Sequence, residues 1–167
     1  MKKLLCLVLL VSVLSLSVVA FADQTYTGDG YSFRFPDTWT FGADQDGAEF
    51  VLMMSDGNSN INMVYQDLGM KLTAEQVDQL LMPLLIQQYQ DTFENVSFTE
   101  MDSPVVLGDN AYSVLGFYVT IFGMDRYMEQ YIILNDKIAY IFTVTYVSED
   151  ASLITDAQYM LSTLQFD

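Results

Sequence analysis

Histidine is absent from this 167-residue sequence, and cysteine occurs once, as Cys6. Without histidine, no Ser-His or Cys-His nucleophile pair can form, and the histidine-bearing zinc sites are excluded. Cys6 lies in an apolar N-terminal segment, so the rest of the chain can form neither a disulfide nor a thiolate metal site. The phosphate-binding motifs GxGxxG and GxxxxGK[ST] and the nucleophile motif GxSxG are missing as well. We therefore expect a protein that is not an enzyme and that holds no cofactor.

Basic residues are scarce. The chain has six lysines and arginines against 22 aspartates and glutamates, which gives a formal net charge of −16. Such a chain repels phosphate backbones, and nucleic acid is excluded as a partner because affinity for it comes chiefly from lysine and arginine. No basic helix is present that would bind an anionic membrane surface. The acidity has two interpretations: the solubility of an exported protein, or the attraction of cations or of a basic partner.

One long uncharged apolar run lies at the N-terminus. The basic pair Lys2-Lys3 precedes an apolar segment, residues 4–19, which ends in Ala20-Phe21-Ala22. A basic start, an apolar stretch and a small-x-small ending are the parts of a secretory signal peptide. We predict a signal peptide at residues 1–22 and a single domain at residues 23–167, whose formal charge is −18 because two lysines are lost. The alternative is an uncleaved anchor. Either way the domain is exported (extracellular, periplasmic or cell-surface), and after cleavage we expect no membrane insertion.

Seven segments of the remaining chain have the alternating apolar pattern of strands, with turn-forming residues between them. They are Tyr31–Phe35, Glu49–Met54, Ile61–Tyr65, Val96–Met101, Ala111–Thr120, Asp125–Leu134 and Ile138–Val147. Short turns at Gly123-Met124 and Asn135-Asp136 predict that the last three strands form an antiparallel meander.

Two further segments have the pattern of helices. Thr73-Ala74-Glu75-Gln76 fits a capping box, in which the Thr73 hydroxyl and the Gln76 side chain each bind the other residue's backbone N–H. Pro83 predicts a kink or a break in the helix that follows. The terminal helix begins near Ser148 and has an apolar stripe that faces the core. Strands and helices grouped in runs predict an α+β fold, a largely antiparallel sheet of about six to seven strands covered by helices.

Three short motifs resemble the PsbP-like superfamily. A glycine and an alternating aromatic strand run into Pro-x-x-Trp at Gly30–Trp39, and Gly108-Asp109-Asn110-Ala111-Tyr112 enters a strand. The ending Leu161–Phe166 is similar too. The resemblance, which includes bacterial envelope proteins of DcrB type, implies a helix/sheet/helix sandwich. It also implies a non-enzymatic binding or assembly role, and it assigns no function to any single residue.

Tyrosines recur with the same parity on the three predicted meander strands. They are Tyr112 and Tyr118, then Tyr127 and Tyr131, then Tyr140 and Tyr146. On one sheet face these rings would form an aromatic surface with hydroxyls at its rim, suited to a carbohydrate, a peptide or an apolar ligand. Tyr112, Tyr118, Tyr127 and Tyr131 are therefore the predicted ligand-binding residues. The alternative, which the pattern favours, is an ordinary core, because Ile138, Phe142 and Val144 share the same parity on the third strand.

Acidic residues offer weaker sites. Asp44, Asp46 and Glu49 place hard oxygen donors in one loop, and residues 56–60 do so in a second, so each loop is a weak calcium candidate. Glu100 and Asp102 stand two apart, and such a pair has the separation that carboxylate-based hydrolases use. In a chain this acidic, ordinary solvated acids are the favoured interpretation of all three patterns.

The sequence thus predicts an exported, non-catalytic binding or assembly module whose partner is an unknown protein or small ligand. The acidic surface favours a basic or cation-bridged partner. Two alternatives stay open: a small-ligand carrier that uses the tyrosines, and a carboxylate-based hydrolase or lyase.

Overall fold

Alternating apolar and polar residues build most of the chain into strands. The computed structural model describes residues 23–43, 47–54, 56–147 and 151–167, and within these ranges it contains eleven strands and three helices. The strands are β1 (Gln24–Thr27), β2 (Tyr31–Phe35), β3 (Trp39–Phe41), β4 (Phe50–Met54), β5 (Asn60–Asp67), β6 (Val96–Thr99), β7 (Val105–Leu107), β8 (Asn110–Ile121), β9 (Met124–Asn135), β10 (Ile138–Tyr146) and β11 (Gln165–Phe166). The helices are α1 (Ala74–Leu80), α2 (Met82–Thr92) and α3 (Ala151–Ser162).

Three sequence predictions fall outside these ranges. They are the signal peptide at residues 1–22, the loop acids Asp44 and Asp46, and the start of the terminal helix at residues 148–150. Of the helices that are described, none has the length and apolar character needed to cross a membrane.

The described strands form two sheets, in which every pairing is antiparallel. The larger sheet has eight strands in the order β3-β4-β5-β10-β9-β8-β6, with β7 also paired to β8. The smaller sheet has the order β1-β2-β11. The predicted antiparallel α+β fold is confirmed, but the sequence did not predict a second sheet. β2 is not part of the main sheet; it pairs instead with β1 and β11, two short strands from the two ends of the described chain.

The strands β8, β9 and β10 form the predicted meander. Ser113 pairs with Ile132 across β8 and β9, and Ile132 pairs with Ile141 across β9 and β10. The two turns lie at Phe122-Gly123 and Asp136-Lys137, each one residue from its predicted position. Phe122, Gly123 and Asp136 have φ values of 52°, 75° and 57°, the left-handed backbone that two-residue hairpin turns require.

The first helical segment is two helices, as Pro83 predicts. The capping box at Thr73 is present: Gln76 N donates to Thr73 Oγ1 at 3.3 Å, and Thr73 N donates to Gln76 Oε1 at 2.9 Å. α1 ends at Leu80, and Pro83 occupies the first turn of α2, where its missing N–H leaves no helical bond unmade. Leu81 joins the two helices, since its N–H donates to Val77 O at 2.8 Å.

Two apolar clusters lie on opposite faces of the main sheet, because successive strand residues point to opposite sides. On β8, Tyr112 and Val114 belong to one cluster, and Leu115 and Phe117 belong to the other. The helices α1 and α2 cover the Leu115 face, and α3 together with β2 covers the Tyr112 face. The residues that provide this second cover are Leu153, Ala157, Met160, Leu161, Tyr31, Phe33 and Phe35.

Candidate ligand-binding site

The register of the meander places all six tyrosines of shared parity on one face of the main sheet. Tyr118 lies opposite Tyr127, and Tyr127 lies opposite Tyr146. Tyr131 pairs with Val114 and with Phe142, which carry the same parity as the tyrosines of their strands. We call this surface the tyrosine face; its members are Tyr112, Tyr118, Tyr127, Tyr131, Tyr140 and Tyr146.

Most of the tyrosine face is core. Tyr112 and Tyr131 are 0% and 2% exposed, and Tyr112 donates its hydroxyl to Leu161 O on α3 at 2.7 Å. Tyr127 is half-buried, and Tyr118 is 40% exposed. Of the four tyrosines predicted to bind a ligand, two therefore lie beneath α3, and two lie near one open end of the face. Ligand binding by the four tyrosines stays a prediction.

A buried carboxylate lies in the middle of the tyrosine face. Glu129 is 4% exposed and accepts hydrogen bonds from three tyrosine hydroxyls. Tyr131 donates to its Oε2 at 2.8 Å, Tyr146 donates to its Oε2 at 3.1 Å, and Tyr127 donates to its Oε1 at 3.1 Å. Buried charge is tolerated where hydrogen bonds replace water, and the three phenols do this here.

Sequence analysis missed the group formed by Glu129 and the three tyrosines Tyr127, Tyr131 and Tyr146, which we call the Glu129 cluster. The signal was present in Tyr127-Met128-Glu129-Gln130-Tyr131, where an acid occupies the inward parity between two tyrosines. The residue opposite Glu129 on β8 is Gly116. A Cβ at Gly116 would overlap Thr99 Oγ1 and Met101 Sδ and would lie 2.9 Å from the Tyr127 hydroxyl, so the absent side chain makes room for the cluster.

The cluster shifts the titration of its tyrosines. Burial and the negative charge of Glu129 together raise the pKa of Tyr127 to about 12. The same two causes, in the same order, raise the pKa of Tyr131 and of Tyr146 still further. All three phenols therefore keep their protons well above neutral pH and remain hydrogen-bond donors to Glu129.

The opposite end of the tyrosine face opens into a cavity of about 130 Å³. Its lining joins the small sheet, the strand pair β5 and β10, and the loop before β4. We call it the acidic tyrosine cavity; its residues are Asp29, Tyr31, Glu49, Tyr65, Ile138 and Tyr140. Sequence analysis singled out Glu49 and Tyr140 separately, but not Asp29, Tyr31 or Tyr65.

Three tyrosine rings form the wall of the cavity. Tyr65 and Tyr140 are direct partners across β5 and β10, with ring centroids 6.4 Å apart. Tyr31 meets Tyr140 edge to face at 5.6 Å. Tyr31 is 2% exposed and Tyr140 is 6% exposed, whereas Tyr65 is 59% exposed at the mouth. The wall therefore runs from solvent into the core.

The Tyr31 hydroxyl is buried and lies beside the Tyr26 side chain. Burial raises the pKa of Tyr31, and hydrogen bonding with Tyr26 and the charge of Glu49 raise it further. Burial also raises the pKa of Tyr140, with a contribution from the charge of Asp29. Asp29 and Glu49 are both exposed, and the charge of each contributes to the raised pKa of one of these phenols. The cavity thus combines a neutral hydroxyl with two solvated carboxylates.

The other described acids that were singled out from the sequence lie outside this cavity. Asp56 closes its own turn, because its Oδ1 accepts from Asn58 N and Ser59 N, both at 2.8 Å. Burial alone would raise the pKa of Asp56, but hydrogen bonds from Ser59 and Asn58 outweigh burial and lower it. Glu100 and Asp102 are both exposed between β6 and β7, without the enclosed cleft that the hydrolase interpretation requires.

A second cavity, of about 390 Å³, lies beside the open Tyr118 end of the face. Its residues are Asn95, Val96, Ser97, Tyr118, Val119, Thr120 and Asp125. The one acid in this lining, Asp125, accepts a hydrogen bond from Thr120 Oγ1 at 2.8 Å. This cavity has fewer groups for recognising a ligand than the acidic tyrosine cavity.

Comparison with known proteins shows the fold but no close relative. No family model and no curated protein matches the sequence. A protein from Bacteroides thetaiotaomicron is 16% identical with a TM-score of 0.57, and the match covers 86% of this chain and 48% of that one. This chain therefore spans about half the length of the Bacteroides protein.

Two other solved structures match over nearly their whole length. Cyanobacterial PsbP from Synechocystis is 16% identical with a TM-score of 0.57, covering 90% of this chain and 96% of that one. LpqN of Mycobacterium tuberculosis, described as involved in cell envelope biogenesis, is 13% identical with a TM-score of 0.50, covering 89% and 86%. The resemblance found in the sequence is confirmed: the chain has a PsbP-like fold.

Proposed function

We propose that residues 23–167 form an exported, non-catalytic binding or assembly module for a basic partner. The observation that carries the proposal is the unpaired acidity of the surface. In the described part of the chain, two ion pairs are present, Arg34 with Asp23 at 4.0 Å and Lys71 with Asp136. Most of the acids among the described residues lie outside these two pairs and can attract positive charge.

The fold and the sequence support an accessory role outside the cytoplasm. The N-terminal segment has the parts of a signal peptide. LpqN, which shares the fold, is described as acting in cell envelope biogenesis. We take the arrangement of α1 and α2 on one face of the main sheet and α3 on the other as the helix/sheet/helix sandwich that the resemblance implies. A binding role is also in keeping with a chain that has no histidine and whose acid pair at Glu100 and Asp102 is solvated.

Affinity capture tests the proposal. The exported protein is the bait and envelope extract of the source cells is the prey, at low and at high salt. We expect one basic protein at low salt, which then rebinds in purified form at one-to-one stoichiometry with affinity reduced roughly tenfold or more at high salt. An unrelated exported protein of equal net charge serves as the control bait. Recovery of the same proteins on both baits, or binding that salt leaves unchanged, would contradict the proposal.

A further inference from the structure

The hairpin of β8 and β9 projects past both of its neighbouring strands. On one side β6 begins at Val96, the partner of Val119, and on the other side β10 ends at Tyr146, the partner of Tyr127. In the described part of the chain, the strand residues within 120–125 therefore pair only with each other. We call residues 120–125 the apolar arm; its outermost residues are Ile121, Phe122, Gly123 and Met124.

Phe122 at the tip of the apolar arm lies almost wholly in water. It is 96% exposed, and Met124 beside it is 48% exposed. A ring with this exposure adds no buried apolar area to the fold. Together with the half-buried Ile121, these side chains form an apolar patch at the outer end of an acidic protein. Exposed apolar patches are typical of sites where another molecule binds.

The backbone at Phe122 is a second observation. Phe122 has φ 52°, and Asp136, at the other turn of the meander, has φ 57°. Aspartate is enriched in this left-handed region, whereas a bulky residue is strained there. The Asp136 turn shows that a polar residue is sufficient, so hairpin geometry does not explain the phenylalanine. The ring is thus retained at a position where it destabilises the fold, and such strained residues cluster at functional sites.

The base of the apolar arm carries no net charge and is open on one side. Arg126 Nη1 donates to Asp125 O at 3.2 Å, and Arg126 Nη2 donates to Met124 Sδ at 3.3 Å. Because Asp125 and Arg126 are adjacent and opposite in charge, the tip can be buried without a separate counter-ion. The cavity of about 390 Å³ lies against Thr120 and Asp125, so the wall of a partner's pocket has room to close around the tip.

The charge of the chain distinguishes between three possible occupants. A second copy and an anionic lipid surface are both repelled by the excess of acids. Even a single myristoyl chain binds a bilayer only marginally, and one phenylalanine with a neighbouring methionine buries less apolar surface than that chain. A protein pocket, by contrast, encloses an aromatic ring completely, and such rings hold many interfaces together. A basic protein is also attracted by the acids around the arm.

We propose that the apolar arm anchors the basic partner, and that the Phe122 ring enters an apolar pocket of that protein. This rests on the proposed function and names the contact by which the partner is held. The acidic surface guides the partner to the domain, and the buried ring keeps it bound. Met124 and Ile121 line the entrance of the pocket and exclude water from it.

The stability of the free protein provides the first test. Phe122→Asn places at the turn the Asn-Gly pair that tight hairpins favour. We expect its urea unfolding midpoint to equal or exceed that of wild type, because a residue suited to the left-handed backbone replaces a strained, exposed ring. A lower midpoint would show that the ring supports the fold, and the proposal would then be wrong.

Binding kinetics provide the second test, with the purified partner recovered by affinity capture as the probe. Phe122→Asn should weaken its affinity about tenfold or more, chiefly through faster dissociation, because an enclosed aromatic anchor governs how long a complex lasts. The salt dependence of the association rate should not change, because the acids that guide the encounter are still present. A dissociation rate equal to that of wild type would overturn the proposal.

Leu84→Gln is the matched control. Leu84 is 67% exposed in the first turn of α2, so this variant also removes an exposed apolar side chain. We expect it to bind the partner with wild-type affinity. If Leu84→Gln weakens binding as much as Phe122→Asn, the effect is a general loss of exposed apolar surface, and the assignment to the arm is wrong.

Photocrosslinking locates the contact. The exported protein carries p-benzoylphenylalanine at position 122, or at the exposed position 137 in the other meander turn as a control. After irradiation with the purified partner, we expect a covalent complex from position 122 and little or none from position 137. Equal yields from both positions would contradict docking through the arm.

Two further measurements test the other occupants. If wild type but not Phe122→Asn cosediments with phosphatidylcholine vesicles, with or without phosphatidylglycerol, a lipid surface replaces the partner's pocket. If wild type forms a dimer in sedimentation velocity and Phe122→Asn does not, a second copy replaces it. Either result would overturn the proposal.

The outcomes also separate this inference from the proposed function. A partner that binds wild type and Phe122→Asn with the same salt-sensitive affinity would leave the proposed function standing and remove this inference. Binding that depends on Phe122 but not on salt would do the reverse. The absence of any captured partner would remove both.

Discussion

Glu129 shows how one polar residue can be held inside an aromatic core. Three phenols donate to its two oxygens, and its strand partner Gly116 leaves space for one of them, the Tyr127 hydroxyl. A carboxylate that loses one of these donors is left partly unsatisfied in a site that water does not reach. The loss in free energy of unfolding when a hydroxyl is removed should therefore depend on the group that the hydroxyl binds, even between tyrosines of equal burial.

Tyr146→Phe and Tyr112→Phe test this difference. Both tyrosines are 0% exposed, but Tyr146 donates to Glu129 whereas Tyr112 donates to Leu161 O, which also accepts from Leu164 N. We expect Tyr146→Phe to lower the free energy of unfolding by about 1.5–3 kcal/mol and Tyr112→Phe by about 0.5–1.5 kcal/mol. Urea unfolding measures both. Equal losses would mean that Glu129 adds nothing to the hydrogen bond.

Strand parity predicted which tyrosines share a face, but not which of them water reaches. The sequence pattern of Tyr112 and Tyr118 is the same, and only the position of α3 over the sheet separates a buried ring from a half-exposed one. The sequence pattern could not predict the acidic tyrosine cavity for a related reason. Asp29 and Tyr31 meet Glu49 and Tyr140 only because the small sheet folds over the main one.

At the scale of elements, local signals gave reliable predictions and long-range pairing did not. The capping box at Thr73, the break at Pro83 and the meander all follow from neighbouring residues, and the structure contains each of them. The strands β1, β7 and β11 have two to four residues each, too few for a period to show. They form because a partner strand offers unpaired backbone groups. β2, for example, pairs with β1 and also with β11, which is distant from β2 in sequence.

The turn between β7 and β8 is fixed by its contact with the end of α3. Gly108 has φ +61°, and a Cβ there would overlap the Ser162 carbonyl oxygen. Gly123 has φ +75° and open space around it. Gly123→Ala should cost about 1 kcal/mol from the left-handed backbone alone, and Gly108→Ala should cost about 1–3 kcal/mol more from the overlap with backbone. Thermal and urea unfolding compare the two, and similar losses would contradict the close approach of α3.

At the scale of the whole molecule, the raised tyrosine pKa values link stability to alkaline pH. Burial is the largest cause that raises the pKa of Tyr112, Tyr131 and Tyr146 above the ordinary value of 10.0. In the unfolded chain these phenols lose their protons near that ordinary value, whereas in the fold they keep them. Their contribution to stability is therefore complete below about pH 10 and is lost as the pH rises towards the folded values.

We expect the free energy of unfolding to fall above about pH 10 by roughly 1.4 kcal/mol per pH unit for each of the three buried tyrosines. Urea unfolding at a series of alkaline pH values measures the slope, and the ultraviolet absorbance of tyrosinate shows whether ionisation accompanies unfolding. Tyr146→Phe should reduce the slope of unfolding free energy against pH by the contribution of one tyrosine, roughly 1.4 kcal/mol per pH unit. A slope that this variant leaves unchanged would show that Tyr146 titrates alike in both states.

The small sheet also sets the order in which the chain can be completed. Arg34 N donates to Thr163 Oγ1, 129 residues further along, and Asp167 N donates to Gly30 O. A chain emerging from the ribosome has made β2 long before its partner β11 exists. Until β11 has been made, β2 has one unpaired edge and Tyr140 lacks its contact with Phe166, whose ring lies 4.9 Å away in the finished fold. The fold of the nascent chain therefore stays incomplete until β11 has been synthesised.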